Sequence, residues 1–322
     1  MAESELKNKK ILVTGGAGFI GSHIAEKLVR SGVEVVVIDN LVSGKLANIE
    51  HIKNDIIFIE KDLRDDSALE QALYGVDYVC HQAALRSVPK SVNRPWDYND
   101  VNVNGSLKLF LKEREKGIKR IICASSSSVY GDREDFPEKE GDFLNPISPY
   151  AATKLIVEHY AGVFNRLYGM EIVNLRYFNV FGQRQSLDDD YAVVVPKFIT
   201  CLLNNQSPPI YGDGEQQRDF TYIDNVVDIN IHCLAKCNIQ GDVFNVACGE
   251  PYSVNALFNI LKKIIGSNSE PQYCPPRPGD VRKTHADISK ARQILDWQPK
   301  VRFEEGIERT VAWFRKQNSL ES

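Results

Sequence analysis

The chain has 322 residues, 43% hydrophobic and 25% charged, with a formal net charge of −4. This is soluble globular composition with room for two domains of typical size. It offers no basic face for nucleic acid, no apolar run near the ~20 residues of a membrane-spanning helix, and no signal-peptide core at its polar start, so a cytoplasmic protein with neither nucleic-acid nor membrane partner is expected.

In chain order, residues 10–14 read as a buried strand, residues 21–32 as a helix with Ile24, Leu28 and Val29 on one face, and residues 33–39 as a second, almost wholly apolar strand. Further short apolar strands are expected over 55–60, 76–81 and 119–125. Continuous apolar strands separated by helices predict an α/β fold, a doubly wound parallel sheet of Rossmann type. Beyond Arg176 the rhythm changes. Residues 183–191 are polar, 208–214 turn-rich and 271–280 proline-rich, whereas 243–247 returns as a strand and 254–265 as an amphipathic helix. The seven cysteines are scattered without a Cys-x-x-Cys pair and read as reduced thiols, so no disulfide framework and no metal site are expected.

Gly15, Gly18 and Gly21 sit at the joint between the first strand and the first helix, with Phe19 and Ile20 opening the helix. A tight turn, close approach of a pyrophosphate to the backbone, and partial positive charge at a helix N-terminus all favour dinucleotide binding there. The second strand ends in Asp39, placed to hydrogen-bond ribose hydroxyls and to repel a 2′-phosphate, and Asn40 adds no cation, so the cofactor expected is NAD. Asp62, with Leu63 beside it, reads either as an adenine contact or as a helix cap.

The strand ending in Ala124 runs into four serines, Ser125–Ser128, and Ser148-Pro149 opens a helix carrying Tyr150 and Lys154. Residues four apart share a helix face. An ammonium beside a phenol favours phenolate and makes it a general base for an alcohol proton. Taken singly, a Tyr-x-x-x-Lys pair and a serine run are commonplace; behind a dinucleotide cradle at the carboxyl end of a parallel sheet they point to oxidoreduction of a hydroxyl.

With these pieces in order, the chain resembles the extended short-chain dehydrogenase/reductases, specifically the NAD-dependent epimerase/dehydratases and, among them, the UDP-glucose and UDP-N-acetylglucosamine 4-epimerases. The likeness is carried by Gly15–Gly21, His81-Gln82-Ala83-Ala84, Ser125–Gly131, Tyr150–Lys154, Leu175–Gly182, Gly212–Gly214, Arg218–Tyr222 and Arg277–Asp280. It implies an NAD-binding domain over residues 7–179 plus about 219–248, and a nucleotide-sugar-binding domain over about 180–218 plus 249–318. It implies Ser126 as the catalytic serine, Tyr150 as the base and Lys154 as the residue that holds the nicotinamide ribose and tunes Tyr150. Ala83, Arg86 and Tyr177 would join the cofactor set. Ser87, Ser127, Asn179, Val193, Tyr211, Arg218, Arg277, Asp280 and Thr284 would meet the UDP-sugar. The relatives also imply a homodimer through two apolar stripes (Val103, Leu107, Phe110 and Leu111; Ile156, Tyr160, Phe164 and Leu167), although periodicity alone would turn both stripes to the chain's own sheet.

Dehydratases and decarboxylases of this resemblance keep acids where this chain has Ser127 and Ser128, and hydroxyls are poor proton shuttles near neutral pH. Oxidation at C4, turnover of the ketosugar and reduction is therefore the expected reaction. In the resembling epimerases the position of Thr284 forms one wall of the sugar pocket, so the resemblance implies room for a 2-acetamido group and points to UDP-GlcNAc and UDP-GalNAc together with UDP-Glc and UDP-Gal. Val193 and Arg86 depart from the amino-sugar enzymes, which often have Ala and Gly there. Three alternatives stand beside this reading: a UDP-hexuronate 4-epimerase with Arg86 facing the carboxylate, a nucleotide-sugar ketoreductase, and a non-catalytic NAD-binding regulatory protein.

Overall fold

Seven strands form one parallel sheet in the computed structural model, which describes residues 5–118, 120–187, 194–236, 239, 241–276 and 281–321. They are β1 (Lys10–Thr14), β2 (Glu34–Asp39), β3 (Ile56–Glu60), β4 (Tyr78–His81), β5 (Arg120–Ser126), β6 (Glu171–Tyr177) and β7 (Val243–Val246). Their order is β7-β6-β5-β4-β1-β2-β3. The order reverses between β1 and β4, and the crevice outside the carboxyl ends at such a reversal is where open α/β sheets take ligands.

The principal helices are α1 (Phe19–Arg30), α2 (Asp66–Ala72), α3 (Gly105–Lys116), α4 (Pro149–Tyr168), α5 (Val194–Leu203), α6 (Ile223–Ala235), α7 (Val254–Ile265) and α8 (Phe303–Glu321). Both faces of the sheet are apolar, as unbroken apolar strands require. Ile11 and Val13 of β1 turn to a cluster shared with Ile24 and Leu28 of α1 and Val226 of α6. Leu12 turns to the opposite face, with Phe110 of α3 and Phe164 of α4. Each such side chain buried whole contributes about 1.5–3 kcal/mol.

Short strand pairs lie outside the main sheet: 180–181 with 221–222, 217–219 with 251–253, and 209–211 with 272–274. They bring Asn179, Asp219 and the 281–287 segment to the carboxyl end of β6.

The first helix begins at Phe19, two residues before the expected start, because extended Gly18 is its N-cap and Gly21 falls inside its first turn. The two apolar stripes divide. Val103, Phe110 and Phe164 are buried in the chain's own core, and Leu107 packs against it. Leu111, Ile156, Tyr160 and Leu167 are exposed together with Val163.

Candidate active site

The turn after β1 is shaped by what approaches it. Gly15 has φ +67°, and a Cβ there would lie 2.8 Å from the backbone of Ala83. A Cβ on Gly21 would lie 2.2 Å from the carbonyl oxygen of Gly15. Neither position accepts a side chain, so turn and helix close together. No side chain caps the start of α1, so the N–H groups at Phe19 and Ile20 face the crevice, the arrangement that binds a phosphate. Gly15, Gly18, Phe19, Ile20 and Gly21 line one cavity of about 1510 Å³ that holds nearly every expected site residue the structure describes.

At the end of β2 the Asp39 carboxylate is held by the backbone N–H groups of Ala17 (3.0 Å) and Leu41 (2.8 Å). Burial lifts its pKa above the ordinary value, and those two N–H groups act in the opposite sense. Asn40 and Asp62 are bonded to each other (2.8 Å). Asp62 does not cap a helix: it accepts from the Arg64 backbone and side chain, which holds its carboxyl well below the usual range. Asp65 is the N-cap of α2. Asp39, Asn40, Asp62 and Leu63 all line the cavity, and the glycine cradle, the uncapped helix and this acid together fit an NAD molecule.

The loop after β4 is anchored by buried groups the sequence reading left without a role. The Ala83 N–H donates to Thr14 Oγ1 (3.2 Å), which sits 2.7 Å from His81 Nδ1. His81 Nε2 lies 2.8 Å from Ser106 Oγ, whose own proton goes to the Asn102 carbonyl. That order makes Nε2 the protonated nitrogen, and burial pushes the His81 pKa down to about 3, so the ring is neutral. The Asn102 side chain accepts from Leu85 N (2.8 Å), donates to Leu85 O (3.0 Å), and donates to Thr153 Oγ1 (3.0 Å). Thr153 bonds the Tyr150 carbonyl (2.7 Å). One amide thereby ties the loop carrying Arg86 to the helix carrying Tyr150. Arg86 is exposed at the cavity wall, and its side chain makes no ion pair or hydrogen bond among the described residues. Ser87 lines the same wall and caps the short helix 88–93.

Ser148 caps α4 through Ala151 N (3.2 Å), with Pro149 in the first turn, as the sequence predicts. The helix aims Tyr150 at the serines ending β5. Ser126 Oγ accepts from Ser128 N (3.2 Å) and from Ser128 Oγ (2.9 Å), and Ser127 lines the cavity beside it. Burial raises the Tyr150 pKa above a phenol's ordinary value; a hydrogen bond with Ser126 and the Arg86 charge pull it down. Lys154 shares the cavity, but its Nζ donates to the Ala124 carbonyl (2.9 Å), and burial lowers its own pKa. Arg86 is the cation whose charge lowers the Tyr150 pKa here, while the Lys154 ammonium is turned to the Ala124 carbonyl. Tyr177 closes the floor, its hydroxyl shared between Gln82 Oε1 (3.2 Å) and Asn230 Nδ2 (2.9 Å).

At the far end Asn179 adopts φ +35° and donates to Thr284 Oγ1 (2.8 Å) and Asp219 O (3.2 Å). Thr284 is buried, and its hydroxyl also accepts from Asp219 N (3.2 Å). Arg218, Asn179 and Thr284 line the cavity. Tyr211 does not: it lies on the 209–211 strand, its carbonyl taken by Gln216. Val193, Arg277 and Asp280 lie outside the described residues.

Known proteins share this sequence pattern and fold. A family model described as GDP-mannose 4,6 dehydratase matches residues 12–310. The chain is 41% identical over 310 residues to a putative UDP-glucose 4-epimerase of Methanocaldococcus jannaschii, covering 96% of this chain and 99% of that protein. Among solved structures it matches the UDP-N-acetylglucosamine 4-epimerase of Methanobrevibacter ruminantium in complex with UDP-N-acetylmuramic acid (TM-score 0.92, 44% identity, 97% of this chain and 99% of that one). It also matches the Thermus thermophilus UDP-glucose 4-epimerase complex with NAD (TM-score 0.86, 37% identity, 95% and 99% covered). The dehydratase description covers a scaffold shared by several reactions, and Ser127 and Ser128 stand here without an acid between Ser126 and Val129. The chain belongs to the NAD-dependent epimerase/dehydratase family of short-chain dehydrogenase/reductases and is an NAD-dependent nucleotide-sugar 4-epimerase.

Proposed function

We propose that the sugars interconverted are UDP-GlcNAc and UDP-GalNAc, together with UDP-Glc and UDP-Gal. The observation that carries this is Thr284, a small residue at the cavity wall whose hydroxyl is taken by Asn179 and the Asp219 backbone N–H. Residues 7–179 plus about 219–248 would hold NAD, and about 180–218 plus 249–318 the nucleotide sugar. NAD, when bound, supplies a hydride acceptor and donor that need not leave between the two half-reactions.

Tyr150 takes the proton from the sugar 4-hydroxyl, with Ser126 hydrogen-bonded to both oxygens, and after the ketosugar has turned over returns it to the C4 oxygen, as the hydride would return to the opposite face of C4. Arg86 favours the phenolate by its charge. Lys154 reaches from beneath, its Nζ fixed by the Ala124 carbonyl, to hold the nicotinamide ribose. Arg218, with Arg277, would grip the pyrophosphate through forked donors while the ketosugar turns over. Positioning supplies most of the rate, since every reacting group stays in one closed site.

The test is a panel of UDP-sugars given to NAD-loaded protein, with C4 inversion followed by NMR. The reading predicts interconversion of both sugar pairs without added reductant. Turnover that consumes NADPH stoichiometrically, or that excludes UDP-GlcNAc, overturns it. UDP-glucuronate belongs in the panel because the Arg86 guanidinium, at the cavity wall and without an ion pair among the described residues, would suit a sugar carboxylate. The Methanobrevibacter relative was solved with such a carboxylated sugar nucleotide. Pairing of two chains through the exposed face of Ile156, Tyr160, Val163 and Leu167 is part of the same reading; light scattering at micromolar concentration should give twice the chain mass of 36.3 kDa.

A further inference from the structure

A buried polar chain runs from the catalytic strand to the sugar wall. Ser125 Oγ donates to Glu158, which is paired with Arg176 (Nη2–Oε2 2.7 Å), both almost wholly buried. Arg176 Nη1 donates to the Tyr130 hydroxyl (2.9 Å), which donates to Asn245 Oδ1 (2.7 Å). Asn245 Nδ2 reaches the carbonyls of Glu138 (3.0 Å) and Asp287 (3.1 Å).

There the chain meets two buried carboxylates. Glu138 is 1% exposed; its backbone bridges His285 O (2.7 Å) and Asp287 N (2.8 Å), and its Oε2 accepts from His285 N (2.7 Å). Asp219 is 0% exposed and accepts from the backbone N–H groups of Cys248 (3.0 Å), Gly249 (3.0 and 3.2 Å) and Ala286 (3.2 Å). Between them the two acids seize the segment that carries Thr284. On its other edge that segment is bonded to Gln217, through Gln217 N to Arg282 O (3.0 Å) and Thr284 N to Gln217 O (3.1 Å).

We propose that Glu138 and Asp219 are positioning residues for the sugar pocket, registering Thr284 and Asn179 against the catalytic serine strand so that the wall keeps its place while the ketosugar turns over. The argument is one of cost. A buried acid loses its water and persists only where donors replace it, as three backbone N–H groups do for Asp219 and one does for Glu138, whose burial favours the protonated form. A plain loop could be fixed by apolar packing at far less expense. These donors are backbone groups of one segment, His285 and Ala286, and of the turn that faces it, Cys248 and Gly249. Neither acid lines the cavity, so neither touches the substrate.

This inference rests on the epimerase reading. Its test is Glu138→Gln and Asp219→Asn in full-length, NAD-loaded protein, with kcat and KM measured for UDP-GlcNAc and UDP-Glc. Asp219→Asn turns one acceptor oxygen into a donor facing N–H groups; Glu138→Gln keeps shape and one acceptor. Bound NAD(H) and the melting curve report folding. Expected is a rise in KM of about tenfold for Asp219→Asn, the value of one lost charge-assisted hydrogen bond, with a smaller rise for Glu138→Gln. The ratio of kcat/KM between the two sugars should change, and kcat should stay within about twofold. A fall in kcat at unchanged KM, or both sugars affected equally, overturns the proposal. Should Asp219→Asn not fold, the near-isosteric Glu138→Gln decides alone. A wild-type protein that inverts no UDP-sugar sinks the epimerase reading; an active wild type matched by Glu138→Gln sinks only the positioning role.

Discussion

At one end of the cavity the proposed pyrophosphate cradle comes from seven consecutive residues, Gly15 to Gly21, and would act through its backbone. At the far end the wall residues Asn179 and Thr284 are held from behind by Asp219 and Glu138, and these contacts join residues as much as 147 positions apart. The first region fails when a single methyl is added, because its atoms already touch. The second fails when a charge or a hydrogen bond is removed, because side chains hold it together. Between the two sits Tyr150, whose helix is anchored to both the loop after β4 and the serine strand.

The largest expected effect is at that middle point. Tyr150→Phe removes one hydroxyl and almost no volume, so steady-state turnover should fall by about 10²–10⁴-fold while calorimetry shows UDP-sugar binding nearly unchanged. Ser126→Ala should lose less, since Ser128 lies 2.9 Å from the same position. Retention of most activity by Tyr150→Phe would remove Tyr150 as the base.

Next comes the cradle. Gly21→Ala places a Cβ 2.2 Å from the Gly15 carbonyl, so the turn must open, and the purified variant should release little or no NAD(H) on denaturation. Loading equal to wild type would show that the turn has slack the close contact denies.

The sugar wall should respond in steps. Thr284→Tyr overfills the pocket and also breaks the bond to Asn179, so turnover of N-acetyl sugars should be lost first. Thr284→Ser keeps that bond and should keep both activities. Thr284→Val, nearly isosteric but without the hydroxyl, separates the two causes: selectivity kept with KM raised by about five- to tenfold assigns the hydroxyl to Asn179. If Thr284→Tyr impairs both sugar classes alike, Thr284 is not the gate.

The contrast between the two ends also explains what could be read in the sequence. Six of the seven sheet strands, the glycine turn, Asp39 and the capped catalytic helix were legible because each is a local pattern: an apolar run, a turn residue, an N-cap; β6 was not among them. Tyr150 and Lys154 were legible as a pair on one helix face, but the direction of the Lys154 ammonium was not, because the Ala124 carbonyl that takes it comes from another strand. Helix α6 buries Val226, Val227, Ile229, Ile231, Cys233 and Leu234 on nearly every side, so it presents no stripe to read. Asp62 failed as a cap because Arg64, two residues on, competes for its carboxylate. Glu138 left no local trace, and Asp219 stood only inside the Arg218–Tyr222 segment without a role of its own: a lone acid looks solvated until its partners arrive from 248–249 and 285–286.

The smallest expected effect is on stability, and pH reveals it. Burial raises the Glu138 pKa from its ordinary 4.5 to about 7 and that of Asp219 from 3.8 to about 6. Folded-state pKa values above the unfolded ones mean that the native protein binds these protons more tightly. The stabilising contribution is complete below the unfolded value of 4.5 for Glu138 and is lost as pH rises through about 7. The groups acting on Glu138 are Arg133, Asp142 and Asp219, together with the His285 N–H. His285 itself has a lowered pKa from burial, so its contribution runs the other way and is lost as pH falls. The wild-type melting temperature is therefore a sum of opposed slopes, but Glu138→Gln removes one of them. Its destabilisation relative to wild type should be largest near pH 5 and shrink by ~1–3 kcal/mol toward pH 8, read from denaturant melts at the two pH values. A difference between variant and wild type that stays constant across this range would mean that Glu138 does not hold its proton in the fold, and that its bond to the His285 N–H is made by a carboxylate throughout.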